Sequence, residues 1–339
     1  MKLGLAGTGR IGVFHAETLC RTTEVDSLVV ADADPDRATN TARQLGCDRA
    51  EDIDALFAAG IDGLVVAAAT DAHAKLITRA VDAGIPVFCE KPVAPDVIGT
   101  VDVLRHIENS DVPVQIGFQR RFDAGYLAAR AAVASGSLGW LHTLRATTLD
   151  PAPPPAEYVP GSGGLFRDCS VHDFDSIRWV TGQEVDEVYA TGANRGADFF
   201  RDAGDVDTAG ALLTLADGTI AHVAATRYNA AGYDVRLEVL GSLDSVSVGM
   251  DERMPLRSVE ADVGWPAGPA YPVFMDRFRA AYETELRAFL DVVRGAKPSP
   301  CTVADALESF YVAEACEFSR RERRPVRLAE VRLSVTGAH

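Results

Sequence analysis

KLGLAGTGRIG, residues 2–12, is a short apolar run that breaks into glycines at positions 7, 9 and 12 and then resumes as an amphipathic pattern. Strand, turn and helix in that order put Gly7 in a tight turn, Gly9 where backbone can approach a pyrophosphate, and Gly12 where helix packs on strand, with Arg10 and Ile11 opening the helix. The next apolar run, SLVVADAD, reaches Asp32 20 positions after Gly12, where a carboxylate bonds the adenosine ribose hydroxyls and repels a 2′-phosphate. Together these features predict dinucleotide binding, with NAD preferred over NADP. Arg37, one helical turn on, either meets a phosphate or caps the adenine.

Working outward, IDGLVVAAAT, IPVFCEKP and VPVQIGFQR repeat the apolar-run and helix rhythm to about residue 118. That alternation reads as an α/β fold with an N-terminal doubly wound parallel sheet, a Rossmann domain over residues 1–120. After it come a helix over about 123–134 and then WLHTLRATTLD, EVDEVYATGAN, TAGALLTLADG, TIAHVAATRYN and YDVRLEVLGS, in which apolar and polar residues alternate. These predict a C-terminal α+β domain, residues 121–339, with a largely antiparallel open sheet packed on one face. DPAPPPAEYVPGSGG, residues 150–164, is too rich in proline and glycine for regular structure and reads as a loop over a site. Two helices separated by RGAKPSP are expected between about 271 and 320.

Composition narrows the function classes. A chain of 339 residues with net charge -16 repels nucleic acid and anionic lipid, so neither is an expected partner. RRERR, residues 320–324, follows a helical pattern and reads as helix-end charge. The six cysteines form no closely spaced pairs, which suits reduced thiols. No signal-peptide pattern opens the sequence and no apolar run approaches the ~20 residues of a membrane span, so a cytoplasmic location is expected.

Three further stretches carry chemistry. TDAH sets Thr70 and His73 at the ligand edge of the sheet, where His73 either faces solvent in the first helical turn or touches the cofactor. FCEKPVAP ends a buried run on Glu90 and Lys91, and lysine is rare here, four among 33 basic residues. RDCSVHDFD spaces Asp168 and His172 one helical turn apart, with Val171, Phe174 and Ile177 inward and Gly182 at the helix end. A carboxylate so placed can orient an imidazole that acts as general base, or Asp168 can simply cap the helix. Asp168, Cys169 and His172 are each possible metal ligands, but no second cluster completes a shell, and no metal is expected.

In combination, GTGRIG, ATDAH, CEKPVA, GFQRRFD, RDCSVHDFD and YDVRLEVLG resemble the glucose-fructose oxidoreductase and inositol dehydrogenase (Gfo/Idh/MocA) superfamily along nearly the whole chain. Within it, GFQRRFDAGY followed by SVHDFD is most similar to NAD-dependent inositol 2-dehydrogenases, which oxidise a ring hydroxyl of myo-inositol to the 2-ketone. The resemblance implies a catalytic triad of Lys91, Asp168 and His172. It implies cofactor contacts from Gly7, Gly9, Arg10, Ile11, Gly12, Asp32, Arg37, Thr70, His73, Glu90 and Lys91, and polyol contacts from Lys91, Gln119, Arg120, Asp150, Asp168, His172 and Tyr233, with Asn229 nearby. It further implies a cis Lys91-Pro92 peptide and a homotetramer. Gln119 departs from the methionine many inositol dehydrogenases carry there. The alternatives are an NADP-dependent aldose oxidoreductase of the same family, a non-catalytic NAD-binding regulator and a metal-dependent hydrolase.

Overall fold

A computed structural model describes residues 1–266 and 268–336 and divides them into two compact units, Met1–Gln119 with Tyr282–Leu307, and Arg120–Ala281 with Glu308–His339.

The first unit opens with β1 (Lys2–Ala6), α1 (Arg10–Arg21), β2 (Ser27–Ala31), α2 (Pro35–Leu45), β3 (Asp48–Arg49) and α3 (Ile53–Ala58). It continues with β4 (Gly63–Val66), α4 (Thr70–Asp82), β5 (Val87–Glu90), α5 (Val97–Ile107) and β6 (Val114–Gly117). The strands are parallel in the order β3-β2-β1-β4-β5-β6, so the order reverses between β1 and β4. A ligand crevice forms at such a reversal, beyond the carboxyl ends of the strands. β1, β2, β4 and β5 are covered on both faces, which is why each reads as an unbroken apolar run. β3 is two exposed residues at the sheet edge and gives no such run.

This unit is discontinuous: beyond the expected break near residue 120 it takes in a later helical segment. Leu286, Phe289, Leu290 and Val292 sit in one core with Leu3, Leu5, Leu28, Val30 and Phe88. Burying each such side chain contributes about 1.5–3 kcal/mol. They belong to the helix Phe274–Val293, whose apolar residues are too regularly spaced to leave in water.

The second unit holds α6 (Ala124–Ala134), β7 (Leu141–Leu149), α7 (Val171–Thr181), β8 (Val185–Ala193), α8 (Phe199–Asp202), β9 (Thr208–Leu215), β10 (Ile220–Thr226), β11 (Asp234–Gly241) and β12 (Ser245–Val248). After these come α9 (Phe274–Val293), α10 (Val303–Glu322), β13 (Val326–Arg327) and α11 (Leu328–Thr336), with α9 and α10 shared between the units by residue. Sheet order is β12-β11-β7-β10-β9-β8-β13. Every neighbouring pair is antiparallel except β7 and β10, which run parallel. One face is buried at alternate residues such as Ala221, Val223 and Ala225, while Tyr189, Leu212 and Ile220 are exposed. α7 ends at Gly182, whose φ of 67° is the left-handed conformation a helix stop favours.

Two expectations are corrected here. The proline-rich stretch is not wholly irregular, because Ala156–Gly161 closes a 3₁₀ turn. Phe166–Ser170 is π-helical rather than α-helical, so the stretch from Asp168 to His172 passes from a π turn into α7. Single π turns recur at functional sites because they re-aim side chains.

Candidate active site

In the first unit the glycine turn has the shape a dinucleotide needs. Gly7 has φ 99°, and a Cβ there would lie 2.4 Å from Ala68 N; a Cβ on Gly12 would lie 1.9 Å from Gly7 O. Gly9 has nothing within 4 Å of where its Cβ would stand, and as N-cap of α1 it supplies no side-chain cap. The helix amino terminus is therefore open to an anion, and the residues present fit a bound pyrophosphate.

Asp32 Oδ2 accepts from Thr8 N at 2.6 Å and Thr8 Oγ1 at 3.0 Å, while Oδ1 accepts from Asp34 N at 2.8 Å and Arg37 Nη2 at 2.9 Å. Burial works against the charged carboxyl, but these donors outweigh it and hold Asp32 below its ordinary value. Arg37 also faces Asp34 at 3.5 Å, so its charge is met twice by carboxylates and offers little to a 2′-phosphate. Asp32→Ala is expected to lower kcat/KM for NAD by roughly 10–100-fold, the loss of a charged hydrogen bond. NADP should be affected much less. An unchanged NAD to NADP ratio in steady-state assays would speak against this placement.

The EKP turn lies where the expectation put it, at the carboxyl end of β5, and its Lys91-Pro92 peptide is cis. Glu90 takes a role the sequence did not suggest: its Oε1 lies 2.6 Å from Nε2 of His15, a fully buried ring of α1 packed edge-on to Phe88 and Tyr282. Glu90 is thereby tied to the helix that starts at the glycine turn. His73 neither faces solvent nor offers a ring nitrogen to a cofactor. It is buried, with Nδ1 2.6 Å from Pro92 O and Nε2 3.0 Å from Ala68 O, and it joins the end of β4 to the EKP turn. Thr70 opens α4 beside it.

In the second unit the period of the strands assembles the site. Leu144, Ala146 and Thr148 of β7, Ala221, Val223 and Ala225 of β10, and Val235, Leu237 and Val239 of β11 all point to the buried face. Extending each alternation one step past the sheet gives Asp150, Arg227 and Tyr233. Thr226 pairs Leu149 across the parallel ladder and Asp234 pairs Leu149 across the antiparallel one, so the three residues meet at one edge. Arg227 donates from Nη1 to Asp150 Oδ2 at 2.8 Å and from Nη2 to Asp168 Oδ2 at 2.6 Å. Tyr158, from the proline-rich loop, donates to Asp168 Oδ1 at 3.0 Å. Burial, together with Asp168, pushes the Tyr158 phenol above its ordinary value. Cys169 Sγ lies 3.5 Å from Asp150 Oδ2. Tyr233 is buried beside Asp150, and burial raises its phenol also.

Other expected residues are placed differently. Arg120 is 1% exposed, and its guanidinium donates to Asp173 at 2.5 Å and Thr148 at 2.9 Å. Its terminal nitrogens are committed to the protein, which corrects the expectation of a polyol contact to one of support beneath the cluster. Gln119 is 4% exposed at the start of a 3₁₀ turn, Gln119–Phe122. Asn229 uses its backbone N–H on Asp150 O and its side-chain amide on Gly232 O. His172 is partly exposed in the first turn of α7, its carbonyl accepting from Ser176 Oγ at 2.7 Å.

Arg227, Tyr158 and His15 were missed. The inward phase of β10 was the signal that could have found Arg227; neither of the others is marked by its local sequence.

Comparison with known proteins agrees with this architecture. Residues 1–118 match the oxidoreductase family model described as an NAD-binding Rossmann fold, and residues 126–247 match the GFO/IDH/MocA C-terminal domain. The chain is 35% identical to an inositol 2-dehydrogenase of Rhizobium meliloti over 97% of its length and 99% of the relative's. A probable dehydrogenase from Thermotoga maritima superposes with a TM-score of 0.91 at 32% identity, over 98% of this chain and 100% of that one. A scyllo-inositol dehydrogenase from Lactobacillus casei, solved with NAD(H) and scyllo-inositol, superposes with a TM-score of 0.88 at 30% identity, over 97% and 99% of the two chains.

Proposed function

The chain belongs to the GFO/IDH/MocA family of NAD-dependent oxidoreductases, and from that premise we propose that it oxidises a secondary hydroxyl of a cyclic polyol, myo-inositol to its 2-ketone being the preferred reaction. The observation that carries this reading is the cluster of Asp150, Asp168, Arg227 and Tyr233. Two carboxylates around one guanidinium leave a net negative balance, which repels phosphate or carboxylate substrates. The same groups suit the many donors and acceptors of a neutral polyol.

His172 takes the hydroxyl proton, and the Lys91 ammonium stabilises the negative charge that develops on the substrate oxygen. Asp168 supports the imidazolium that forms. NAD, when bound, would supply the ring that accepts the carbinol hydrogen with its electron pair as hydride. Gln119, Asp150 and Tyr233 orient the remaining hydroxyls. Gly7, Gly9, Arg10, Ile11, Gly12, Asp32, Thr70 and the EKP turn hold the dinucleotide.

We place the protein in the cytoplasm; no helix among the described residues is long and apolar enough to cross a membrane. The exposed sheet face around Tyr189, Leu212 and Ile220 is assigned to contact with further copies in a homotetramer. NADH formation over myo-, scyllo- and chiro-inositol and common aldoses tests the function. The highest kcat/KM is expected with myo-inositol and NAD. A clear preference for an aldose with NADP would replace this reading with that of a sugar oxidoreductase.

A further inference from the structure

We infer that Arg227 is a positioning residue for this reaction: its guanidinium fork locks the Asp150 and Asp168 carboxylates in one geometry and keeps Asp168 ionised beside the catalytic base. The inference rests on the dehydrogenase reading for its catalytic consequence, but its electrostatic content stands on geometry alone.

Arg227 is 5% exposed and follows directly on β10, where its own N–H donates to Asp207 O at 2.8 Å. Asp207 is itself fixed, accepting from Arg195 N and Gly196 N at 2.7 Å each. From this anchored backbone the side chain uses one terminal nitrogen on each carboxylate, 2.8 Å to Asp150 and 2.6 Å to Asp168. The planar fork of arginine can hold two separate acceptors in fixed directions, whereas an ammonium is a point charge with freely turning donors.

Two carboxylates bonded to one guanidinium disfavour each other's ionised form, and the cation between them offsets that repulsion. The titratable and charged groups around the corner include Asp150, Asp168, Cys169, Tyr158, Tyr233 and Asp205, with the buried Arg120 and Asp173 acting on Tyr233 and His172 four positions past Asp168. Arg227 is paired with both carboxylates. A protonated Asp168 could not stabilise an imidazolium on His172, so the charge of Arg227 reaches the chemistry through Asp168. Tyr158 fixes the other Asp168 oxygen from the proline-rich loop, so both oxygens have set directions.

Arg227→Gln is therefore expected to lower kcat for myo-inositol by about 100-fold, the scale of a misplaced catalytic group, with NAD affinity unchanged. In carboxyl ¹³C NMR, Asp168 should take up its proton at higher pH in Arg227→Gln than in the wild type, since the cation favouring the carboxylate is gone. Arg227→Lys should restore the wild-type titration of Asp168 but only part of kcat, and it carries the test should the glutamine variant fail to fold. Wild-type kcat in either variant, or an Asp168 titration that ignores loss of the guanidinium, overturns the inference. If the wild type itself makes no NADH from any polyol, the dehydrogenase reading fails, and the NMR comparison still decides whether Arg227 holds Asp168 ionised.

Discussion

Lys91→Ala is expected to lower kcat for polyol oxidation by roughly 10²–10⁴-fold, the span over which positioned acid-base and charge-stabilising groups act. The lysine follows β5 at the carboxyl edge of the parallel sheet, and its turn is tied by His73 to Ala68 and by Glu90 to His15. The residue thus sits in a turn held by the buried His15 and His73, at the carboxyl edge of the sheet where the glycine turn also lies. His172→Ala should cost a similar factor. If both groups act on one hydroxyl, the double variant will lose far less than the product of the single losses, because removing either already disables the unit. NADH binding, followed by fluorescence titration, should survive in all three variants. Full multiplication of the two effects, or wild-type turnover in either single variant, would break the assignment of roles.

The second large effect concerns stability. Asp173 and Arg120 have side chains only 1% and 2% exposed, their bond is 2.5 Å long, and Thr148 Oγ1 lies within 2.9 Å of both Asp173 oxygens. Burial lifts the Asp173 carboxyl above its ordinary value, and the Arg120 guanidinium works against that rise. Removing one partner strands the other charge in the core, so Asp173→Ala is expected to destabilise the protein by about 3–5 kcal/mol in denaturant unfolding. The double variant Arg120→Met with Asp173→Leu should recover much of that loss, because no unpaired charge remains. A single-variant loss below about 1 kcal/mol, the range of exposed ion pairs, would show that this pair is not sealed from water.

Most of the fold was legible because its causes are local. β1, β2, β4 and β5 lie inside a parallel sheet and so appear as apolar runs, and the second sheet announces itself by alternation. β3 was invisible, since two exposed residues carry no hydrophobic signature. The half of α9 that joins the first unit is expected as a helix of the second domain, because a helical pattern says nothing about which core it fills. Within the site, residues set by strand ends or a glycine turn could be read from spacing. Partnerships made by long-range pairing could not, even where strand phase marks the residue itself: His15 meets Glu90 across 75 positions, and Arg227 meets Asp150 across 77 and Asp168 across 59. Arg120 misled for a related reason. An arginine beside the end of β6 looks available to substrate until the buried Asp173, 53 residues on, is seen to occupy it.

The proposed reaction is hydride transfer from a polyol carbinol carbon to NAD, with Lys91 and His172 as the proposed catalytic groups. The direct measurement uses myo-inositol deuterated at C2, with the NADH product analysed by mass spectrometry. The account predicts that the wild type yields NADH carrying the deuterium, and that Lys91→Ala, with cofactor bound, yields almost none. Unlabelled NADH from the wild type would contradict oxidation at that carbon, and labelled NADH formed at the wild-type rate by Lys91→Ala would contradict the role of the lysine.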